Sequence, residues 1–444
     1  MSREVLYGWG RTTPSVAELA HPKNEDEVLA ALMSATSVIA RGLGRSYGDA
    51  AQLSGGLVLD NRAMRSIGQI DPDGVVTLGA GVSIDELLAV CVPQGWFVPV
   101  TPGTRQVTIA GAVAADVHGK NHHADGSFAN HVLGMRLITP TGAFNVSRTE
   151  RPELFWATMG AMGLTGVLSE VTIRLLAIET DRVLVDTERV DDLDAVMSAM
   201  SSGDEGYRYS VAWVDCMTRG AHMGRAILTR AEHATRAEHD RATLEAPSKA
   251  RLGVPLEAPS GLLNPLTIKV FNELWFRSAP RRRAGEPQSL SSFFHPLDGV
   301  RDWNRLYGRR GFVQYQFCVP EHSASTIPRV IERLATSRVP SFLAVLKRFG
   351  ASNPAPLSFP IPGWTLALDL PVGPSALPEV LDDLDDLVLE GGGRIYLAKD
   401  ARLNPTKVRA MYPELERFLA IKRVVDPEQR LVSDLARRLH LIGT

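Results

Sequence analysis

The sequence has few cysteines, only three in 444 residues. Cys91, Cys216 and Cys318 are far apart and form no Cys-x-x-Cys pair. The sequence therefore predicts neither a disulfide framework nor a zinc site, and we expect no bound metal ion. A reducing compartment agrees best with this cysteine usage.

Long apolar runs are also missing. No stretch of eighteen apolar residues occurs, so no segment is expected to span a bilayer. The first fifteen residues lack the apolar core of a secretory signal. These absences predict a protein that is cytoplasmic or held peripherally at the inner membrane, and the periplasmic face stays open as an alternative.

A large charge of one sign is absent as well. Lysine and arginine number 48 against 50 aspartates and glutamates, for a net charge of −2. This balance argues against a protein that binds nucleic acid mainly through phosphate contacts, so nucleic acid is not an expected partner. The length of 444 residues exceeds one ordinary core, and two domains are expected.

Short strands and capped helices alternate in the first third of the chain. Asn24 is placed as the N-cap of a helix, with the carboxylate of Glu27 three residues later, and Ser83 begins a second capped helix. Beyond about residue 178, strand-like runs of a different sheet follow, for example 183–190 and 312–319. This pattern predicts a mixed fold with two sheet-containing parts.

Glycine is concentrated in three segments of the first third. Residues 41–49 read RGLGRSYGD after a strand-like run, and such glycine density brings the backbone close to a ligand. The exposed amides of such a turn form a nest for a pyrophosphate. Tyr47 stands at the third glycine position of the dinucleotide fingerprint and no Gly-Lys-Ser/Thr follows, which argues against a nicotinamide dehydrogenase and a Walker loop.

Two further glycine-rich segments strengthen this interpretation. Residues 101–119 read TPGTRQVTIAGAVAADVHG, and nearly every side chain from 109 to 117 is small or aliphatic, as a planar ring system along the chain requires. Residues 154–167 read LFWATMGAMGLTGV and approach a third strand. Three such segments in this order are more specific than any one of them.

With these segments, the chain resembles the vanillyl-alcohol-oxidase type family of FAD-linked oxidoreductases over its full length. The resemblance implies an α+β flavoprotein of two domains, with an FAD-binding domain at 1–177 and an antiparallel-sheet substrate domain at 178–392. A C-terminal segment, 393–444, is expected to return to the FAD-binding domain. Mobile loops are predicted near 230–262, where a local duplication is followed by scattered prolines, and near 278–292.

FAD is the cofactor that this resemblance implies. Many members of the family attach the flavin covalently to a histidine of the first loop, but Ser46-Tyr47-Gly48 stand there in this sequence, so we expect non-covalent FAD. The implied cofactor contacts are Arg41, Gly42, Leu43, Gly44, Arg45, Ser46, Tyr47, Gly48, Gly103, Thr108, Ile109, Gly111, Ala115, His118, Gly119, Val167 and Tyr396.

Four later motifs narrow the resemblance. They are HGKNHH at 118–123, GFVQYQF at 311–317, LSFPIPGW at 357–364 and RIYLAKDAR at 394–402. They resemble the branch of the family that oxidises the 2′-hydroxyl of decaprenylphosphoryl-β-D-ribose. That activity implies a 2′-keto product, which a separate short-chain NAD(P)H-dependent reductase reduces in an epimerisation that yields the arabinose donor for cell-wall arabinan.

One position departs from that branch. Ala367 stands where mycobacterial members carry a cysteine that reacts with nitroaromatic inhibitors. The departure leaves catalysis in place and argues against covalent inhibition.

Lys399 and His118 are the predicted catalytic residues. A lysine near the flavin N1 edge, or near the phosphate of the substrate, stabilises negative charge in either place; the alternative is a surface lysine paired with Asp400. His118 ends the apolar segment and is suited to receive the hydroxyl proton, although a structural histidine at the pyrimidine edge of the flavin is an alternative.

Substrate binding is assigned to two glutamines and three lysines. Gln314 and Gln316 share one face of a strand, and two amides on one wall suit the hydroxyls of a sugar. An ordinary sheet surface is the alternative explanation. Lys120, Lys347 and Lys399 complete the predicted set.

Aromatic and basic residues adjoin at 274–283. Leu274-Trp275-Phe276 is followed by Arg277 and by three arginines at 281–283. This combination suits a membrane interface with anionic headgroups, and a solvated loop explains it equally well. Peripheral contact with membrane lipid is therefore an open expectation.

Two other functions stay open. One is an FAD-dependent oxidase of a free sugar, an alditol or a sugar lactone, although such relatives often carry the histidine-linked flavin that this sequence lacks. The other is a non-catalytic binding protein that keeps the flavin fold. Loss of Lys399 or of the glycine-rich segments would favour it, and neither has occurred.

Overall fold

The first part of the chain is built from short strands, as predicted. The structure is a computed structural model that describes residues 2–238, 244–247, 252–259 and 261–442. The strands of the first part are β1 (Ser2–Leu6), β2 (Ser15–Ala20), β3 (Val38–Arg41), β4 (Leu57–Asp60), β5 (Val75–Gly79), β6 (Trp96–Phe97), β7 (Val132–Thr139), β8 (Gly142–Ser147), β9 (Val167–Arg174) and β10 (Leu176–Ala177). They form two four-stranded sheets, β1-β2-β4-β3 and β5-β9-β7-β8, and the short pair β6-β10.

Five helices accompany these strands. They are α1 (Glu25–Ser34), α2 (Ile84–Cys91), α3 (Ile109–Ala114), α4 (His122–Asp125) and α5 (Pro152–Thr158). The predicted N-caps are confirmed: the side chain of Asn24 accepts from the Glu27 N–H at 2.9 Å, and Ser83 forms a capping box with Glu86. Each cap satisfies a backbone N–H that has no partner within its helix.

The second part of the chain contains one large sheet. Its elements and those of the C-terminal segment are β11 (Arg182–Val190), α6 (Leu193–Gly203), β12 (Tyr209–Val214), β13 (Ala226–His233), β14 (Leu252–Gly253), α7 (Pro265–Ser278), β15 (Arg282–Ser289), α8 (Leu290–Phe294), β16 (Val300–Arg301), β17 (Phe312–Pro320), α9 (Thr326–Ser337), β18 (Ala344–Phe349), β19 (Gly363–Pro371), α10 (Leu377–Glu390), β20 (Arg394–Ile395), α11 (Pro405–Met411), α12 (Leu415–Val425) and α13 (Asp434–Arg438). Eight strands form the sheet in the order β15-β11-β13-β12-β18-β19-β17-β20. Every pair of neighbours in it is antiparallel, which confirms the predicted α+β fold with an antiparallel second sheet.

Strand alternation divides the side chains of β17 between two faces. Tyr315 and Phe317 belong to the hydrophobic core beneath the sheet, whereas Gln314 and Gln316 lie on the opposite face. The prediction that the two glutamines share a face is therefore confirmed. Gln316 is directly opposite Ala367 on β19, so the same face continues onto the neighbouring strand.

The C-terminal segment lies against the first part of the chain. The Val38 N–H donates to the Arg430 carbonyl at 2.7 Å, and the Tyr47 N–H donates to the Ala398 carbonyl at 2.9 Å. Arg438 pairs with Asp49 at 2.7 Å. These contacts hold residues 398–438 beside the first glycine-rich segment; the three domain boundaries stay predictions.

The predicted mobile loop near 278–292 is wrong. Residues 282–289 form β15, the edge strand of the large sheet, and α8 follows immediately. The charged residues, glycine and proline of RRAGEPQS are typical of a loop, which is why a loop was predicted. An edge strand also tolerates them, because its backbone forms hydrogen bonds to a neighbouring strand on one side only. Of the predicted loop near 230–262, residues 230–233 end β13, and residues 239–243, 248–251 and 260 lie outside the described residues.

Within the described ranges, no helix combines the length and the apolar composition that a membrane span needs.

Candidate active site

A cavity of about 680 Å³ separates the three glycine-rich segments from one face of the large sheet. Its volume lies within the range of roughly 300–1,000 Å³ that cofactor and ligand sites occupy. Residues 41–47, 102–118 and 158–168 supply one set of walls, and the sheet face and Lys399 supply the rest. Segments that are distant in sequence therefore line a single space.

The first glycine-rich segment presents backbone amides to this cavity. Gly44 has a φ of 64°, the left-handed conformation that favours glycine. The N–H groups of residues 43–46 donate to no acceptor among the described residues. Unpaired amides in a turn form a nest for an anion. This loop therefore fits the diphosphate of FAD.

Close packing explains two glycines of that loop. A Cβ on Gly42 would lie 2.3 Å from Thr108 Oγ1, so glycine allows the loop to contact the second segment. A Cβ on Gly48 would lie 2.1 Å from the Asp400 carbonyl oxygen. Gly48 therefore packs against the C-terminal segment and does not line the cavity, whereas all the other predicted contacts from Arg41 to Tyr47 do.

The second segment lines the cavity with small side chains. Thr108 caps α3 by accepting from the Gly111 N–H at 3.1 Å, which places the start of the helix at the cavity wall. The predicted contacts that line the cavity here are Gly103, Thr108, Gly111, Ala115 and His118. Three other predicted contacts, Ile109, Gly119 and Val167, lie behind the walls.

The opposite wall is the cavity-facing side of β17, β18 and β19. Gln314, Gln316, Lys347 and Ala367 line it. Val345 and Gln316 are both opposite Ala367, on β18 and β17 respectively, so a short side chain lies at the centre of this wall. Amides and an ammonium group around an apolar centre can bind a hydroxylated, anionic ligand.

Lys399 places an ammonium group in the same cavity. Its Nζ lies 3.9 Å from the centroid of the Tyr47 ring, a cation–π contact. Burial lowers the pKa of Lys399 to about 7; Asp369 opposes this decrease and Lys347 adds to it. Burial also lowers the pKa of Lys347 to about 8. Both lysines carry charge below pH 7, where they can stabilise an anion.

Asp369 is a residue of this site that the sequence interpretation missed. It is buried on β19, where its Oδ1 accepts from Gln314 Nε2 at 2.5 Å and its Oδ2 accepts from the Tyr307 hydroxyl at 3.4 Å. Burial raises the pKa of Asp369 to about 6, against the influence of Gln314, Lys399 and Tyr307. An aspartate inside the apolar run Trp364–Leu370 was the available signal, because such a residue is rarely buried without a partner.

His118 is buried between aromatic rings beside the cavity. Its Nε2 lies 2.8 Å from Gln316 Nε2, and its Nδ1 has no hydrogen-bond partner among the described residues. Burial lowers the pKa of His118 well below its usual range, and Lys347 contributes. The ring is therefore neutral at pH 7. Because the Gln316 amide nitrogen can only donate, His118 Nε2 accepts this hydrogen bond and the single ring proton is on Nδ1. Tyr396 lies 5.1 Å from this ring, and its hydroxyl donates to the Ala115 carbonyl at 2.7 Å.

Lys120 lies outside the cavity lining, unlike the other predicted substrate residues. Its ammonium donates to the Phe293 carbonyl and lies 4.0 Å from the centroid of the Phe293 ring. Because the chain turns after His118, Lys120 packs against α8 although it is only two residues further along the sequence. Burial lowers the pKa of Lys120 to about 7, with a smaller contribution from Lys347.

The cysteines are expected to be unreactive in the native protein. Cys91, Cys216 and Cys318 are all buried, and burial raises the pKa of the Cys91 and Cys318 thiols to about 12. A thiol in this state has almost no thiolate at pH 8, so iodoacetamide should not label the folded protein.

The Ala367→Cys variant is the matched comparison for that prediction, because position 367 lines the cavity. We expect it to be alkylated at a single site, as mass spectrometry of the intact chain would show. Rapid labelling of the unmodified protein before denaturation would contradict the buried positions of its cysteines.

Comparison with known proteins places this architecture among FAD-linked proteins. A family described as an FAD binding domain matches residues 16–146. Decaprenylphosphoryl-beta-D-ribose oxidase of Mycolicibacterium smegmatis is 42% identical over 452 aligned residues, which cover 98% of this chain and 97% of that protein. An uncharacterised protein of Streptomyces coelicolor from the mprA 5′ region is 38% identical over 81% of this chain and 100% of its own length. (R)-6-hydroxynicotine oxidase of Paenarthrobacter nicotinovorans is 37% identical over 27% of this chain and 26% of that protein.

Proposed function

The chain belongs to the vanillyl-alcohol-oxidase type family of FAD-linked oxidoreductases, and from this premise we propose that it oxidises the 2′-hydroxyl of decaprenylphosphoryl-β-D-ribose to a keto group. It is an FAD-dependent oxidoreductase that acts on a CH–OH group. The name of the M. smegmatis relative supports the substrate, since the similarity extends over 98% of this chain.

The sheet face of the cavity is the observation that carries this proposal. Gln314, Gln316, Lys347 and Lys399 face the same space as the three glycine-rich segments. The glutamine amides can bind sugar hydroxyls, and either lysine can bind the phosphate. A phosphorylated pentose thus finds complementary groups on the wall opposite the amides of residues 43–46.

The chemistry is divided between cofactor and protein. FAD, when bound, supplies the acceptor for the hydride that leaves the 2′-carbon. His118 takes the hydroxyl proton on Nε2, the nitrogen that carries the lone pair of the neutral ring, when the substrate hydroxyl replaces the Gln316 amide there. Lys399 balances the negative charge that develops in the cavity. Tyr396 and Tyr47 fix His118 and Lys399 through ring contacts at 5.1 and 3.9 Å, respectively.

We further propose that FAD is held without a covalent bond. The loop at 41–48 contains no histidine or cysteine, and the thiols of the chain are buried. The backbone amides of residues 43–46 and the fit of the cofactor to the cavity then hold FAD in place.

The absorption spectrum of the purified protein tests cofactor, linkage and substrate together. We expect flavin absorption that acid denaturation releases into the supernatant, and bleaching when a polyprenyl-phosphoryl ribose analogue is added without oxygen. Flavin that stays on the denatured chain would contradict non-covalent binding. Bleaching by a free sugar, an alditol or a lactone, but not by the phosphoryl ribose, would replace the proposed substrate. A protein that cannot be loaded with FAD would favour a non-catalytic binding role.

The proposed product requires a second enzyme. A 2′-keto sugar becomes the arabinose epimer when hydride returns from the other face, which is the reaction of a short-chain NAD(P)H-dependent reductase. We propose such a reductase as the functional partner in forming the arabinose donor for cell-wall arabinan.

A further inference from the structure

Helix α7 exposes an apolar face. Leu266, Val270 and Leu274 recur every fourth residue and are 72%, 52% and 65% exposed. Ile268, Asn272 and Phe276 also recur every fourth residue, but they are buried against the protein. Since residues two apart lie on opposite sides of an α-helix, the first three side chains point away from the body of the molecule.

Polar contacts fix α7 in this orientation. Asn272 Nδ2 donates to Asp215 Oδ1 at 2.8 Å, and Glu273 pairs with Arg225 at 2.7 Å. The Phe276 ring lies 4.7 Å from the Arg225 guanidinium. These partners would be lost if the helix turned its apolar face inward, so the exposed face is a stable feature of the fold.

Basic residues predominate in α7 and in the segment that follows it, although Arg277 pairs with Glu273 and Arg283 with Glu286. Between residues 264 and 283 the chain carries five basic side chains and one acidic side chain. They are Lys269, Arg277, Arg281, Arg282, Arg283 and Glu273. The chain as a whole has a net charge of −2, so the excess is local. A helix with an apolar face and a basic border matches the surface of an anionic bilayer, whereas two copies of it would repel one another.

A run of aromatic rings connects α7 with the candidate active site. Each ring centroid lies 4.0–6.4 Å from the next, and we call this run the aromatic seam: Trp275, Phe271, Phe342, Tyr307, Phe312 and Tyr47. Trp275 is 49% exposed at one end. Tyr47 lies under the Lys399 ammonium at the other end. Leu343 and Trp303 add apolar cavity lining next to Phe342 and Tyr307.

We propose that α7 docks the protein on an anionic phospholipid bilayer, with Leu266, Val270 and Leu274 in the interface and the arginines on the headgroups. The docked face then lies at the outer end of the aromatic seam, and the polyprenyl tail of the substrate stays in the bilayer beside it. This second element rests on the proposed function. The docking itself rests on the composition and orientation of the helix.

Vesicle sedimentation tests the docking directly. The FAD-loaded protein is expected to sediment with vesicles of 70% phosphatidylcholine and 30% phosphatidylglycerol, and much less with pure phosphatidylcholine. The variant Leu266→Ser/Val270→Ser/Leu274→Ser should bind about tenfold more weakly, because it removes the inserted apolar area. The control variant Met33→Ser/Val90→Ser/Val424→Ser removes three exposed apolar side chains from other helices and should bind normally.

Two further measurements complete this test. Arg281→Gln/Arg282→Gln/Arg283→Gln should lose the preference for anionic vesicles. With a water-soluble short-chain substrate, the α7 variant should match the unmodified enzyme, whereas it should be slower on a long-chain substrate embedded in vesicles.

The outcomes separate the docking from the proposed function. Equal vesicle binding by the α7 and control variants would overturn the docking, as would self-association through this face in sedimentation velocity. A protein that binds vesicles through α7 but does not oxidise the short-chain substrate would retain the docking and reject the proposed function.

Discussion

Lys399→Ala is expected to lower kcat by about 10²- to 10³-fold while FAD stays bound, the scale of loss when one preorganised electrostatic group is removed from an active site. The Lys399 ammonium lies in the cavity, 3.9 Å from the Tyr47 ring, and because the side chain is partly buried, solvent screens its charge less than at the protein surface. FAD should stay bound because the amides of residues 43–46 do not depend on this side chain.

Lys399→Arg and Lys407→Ala provide the controls. Arginine keeps a positive charge at every accessible pH, so this variant should retain more activity than Lys399→Ala and lose the alkaline decrease in kcat/KM. Lys407 pairs with Asp386 at 2.6 Å, outside the cavity, and its replacement should leave kcat unchanged. If Lys399→Ala bound FAD more weakly but the FAD-loaded variant kept its normal kcat, the role of Lys399 would be to bind the cofactor and not to stabilise charge during the reaction.

The flavin-facing segments were predictable because their signals are local. Gly44 takes a left-handed φ and Gly42 allows close contact with Thr108, and both requirements follow from missing side chains within one short stretch. Strand alternation similarly predicted that Gln314 and Gln316 share a face. The resemblance to a family then indicated what ligand these local features bind.

Other parts of the site depend on pairing between distant strands. Asp369 meets Gln314 because β19 pairs with β17, and 55 positions separate the two residues. Periodicity within one strand does not reveal which other strand will lie beside it. Lys120 shows that closeness in sequence can also give a wrong prediction. Its position two residues after His118 suggested that both line the cavity, but the chain turns between them and directs Lys120 elsewhere. Six aromatic residues between positions 47 and 342 likewise become adjacent only in the fold.

The pH dependence of kcat/KM should distinguish the charges around Lys399. Burial lowers the pKa of Lys399 to about 7 and Asp369 opposes that decrease, so activity that needs the ammonium should fall as the pH rises through about 7. Asp369→Asn removes the negative charge but keeps an Oδ1 acceptor for Gln314. The ammonium loses stabilisation, the pKa falls further, and the alkaline limb should move to lower pH by about one unit.

Lys347→Met should move the alkaline limb of the kcat/KM profile in the opposite direction, to higher pH. Lys347 has a pKa of about 8, so between pH 7 and pH 8 it is charged and disfavours the ammonium of Lys399. Its removal raises the pKa of Lys399 and should extend activity to higher pH, even if weaker substrate binding lowers the maximum. Profiles of kcat/KM from pH 5.5 to 9.5 would measure both variants. Shifts in the same direction, or an unmoved limb in both, would show that Lys399 does not control the alkaline decrease.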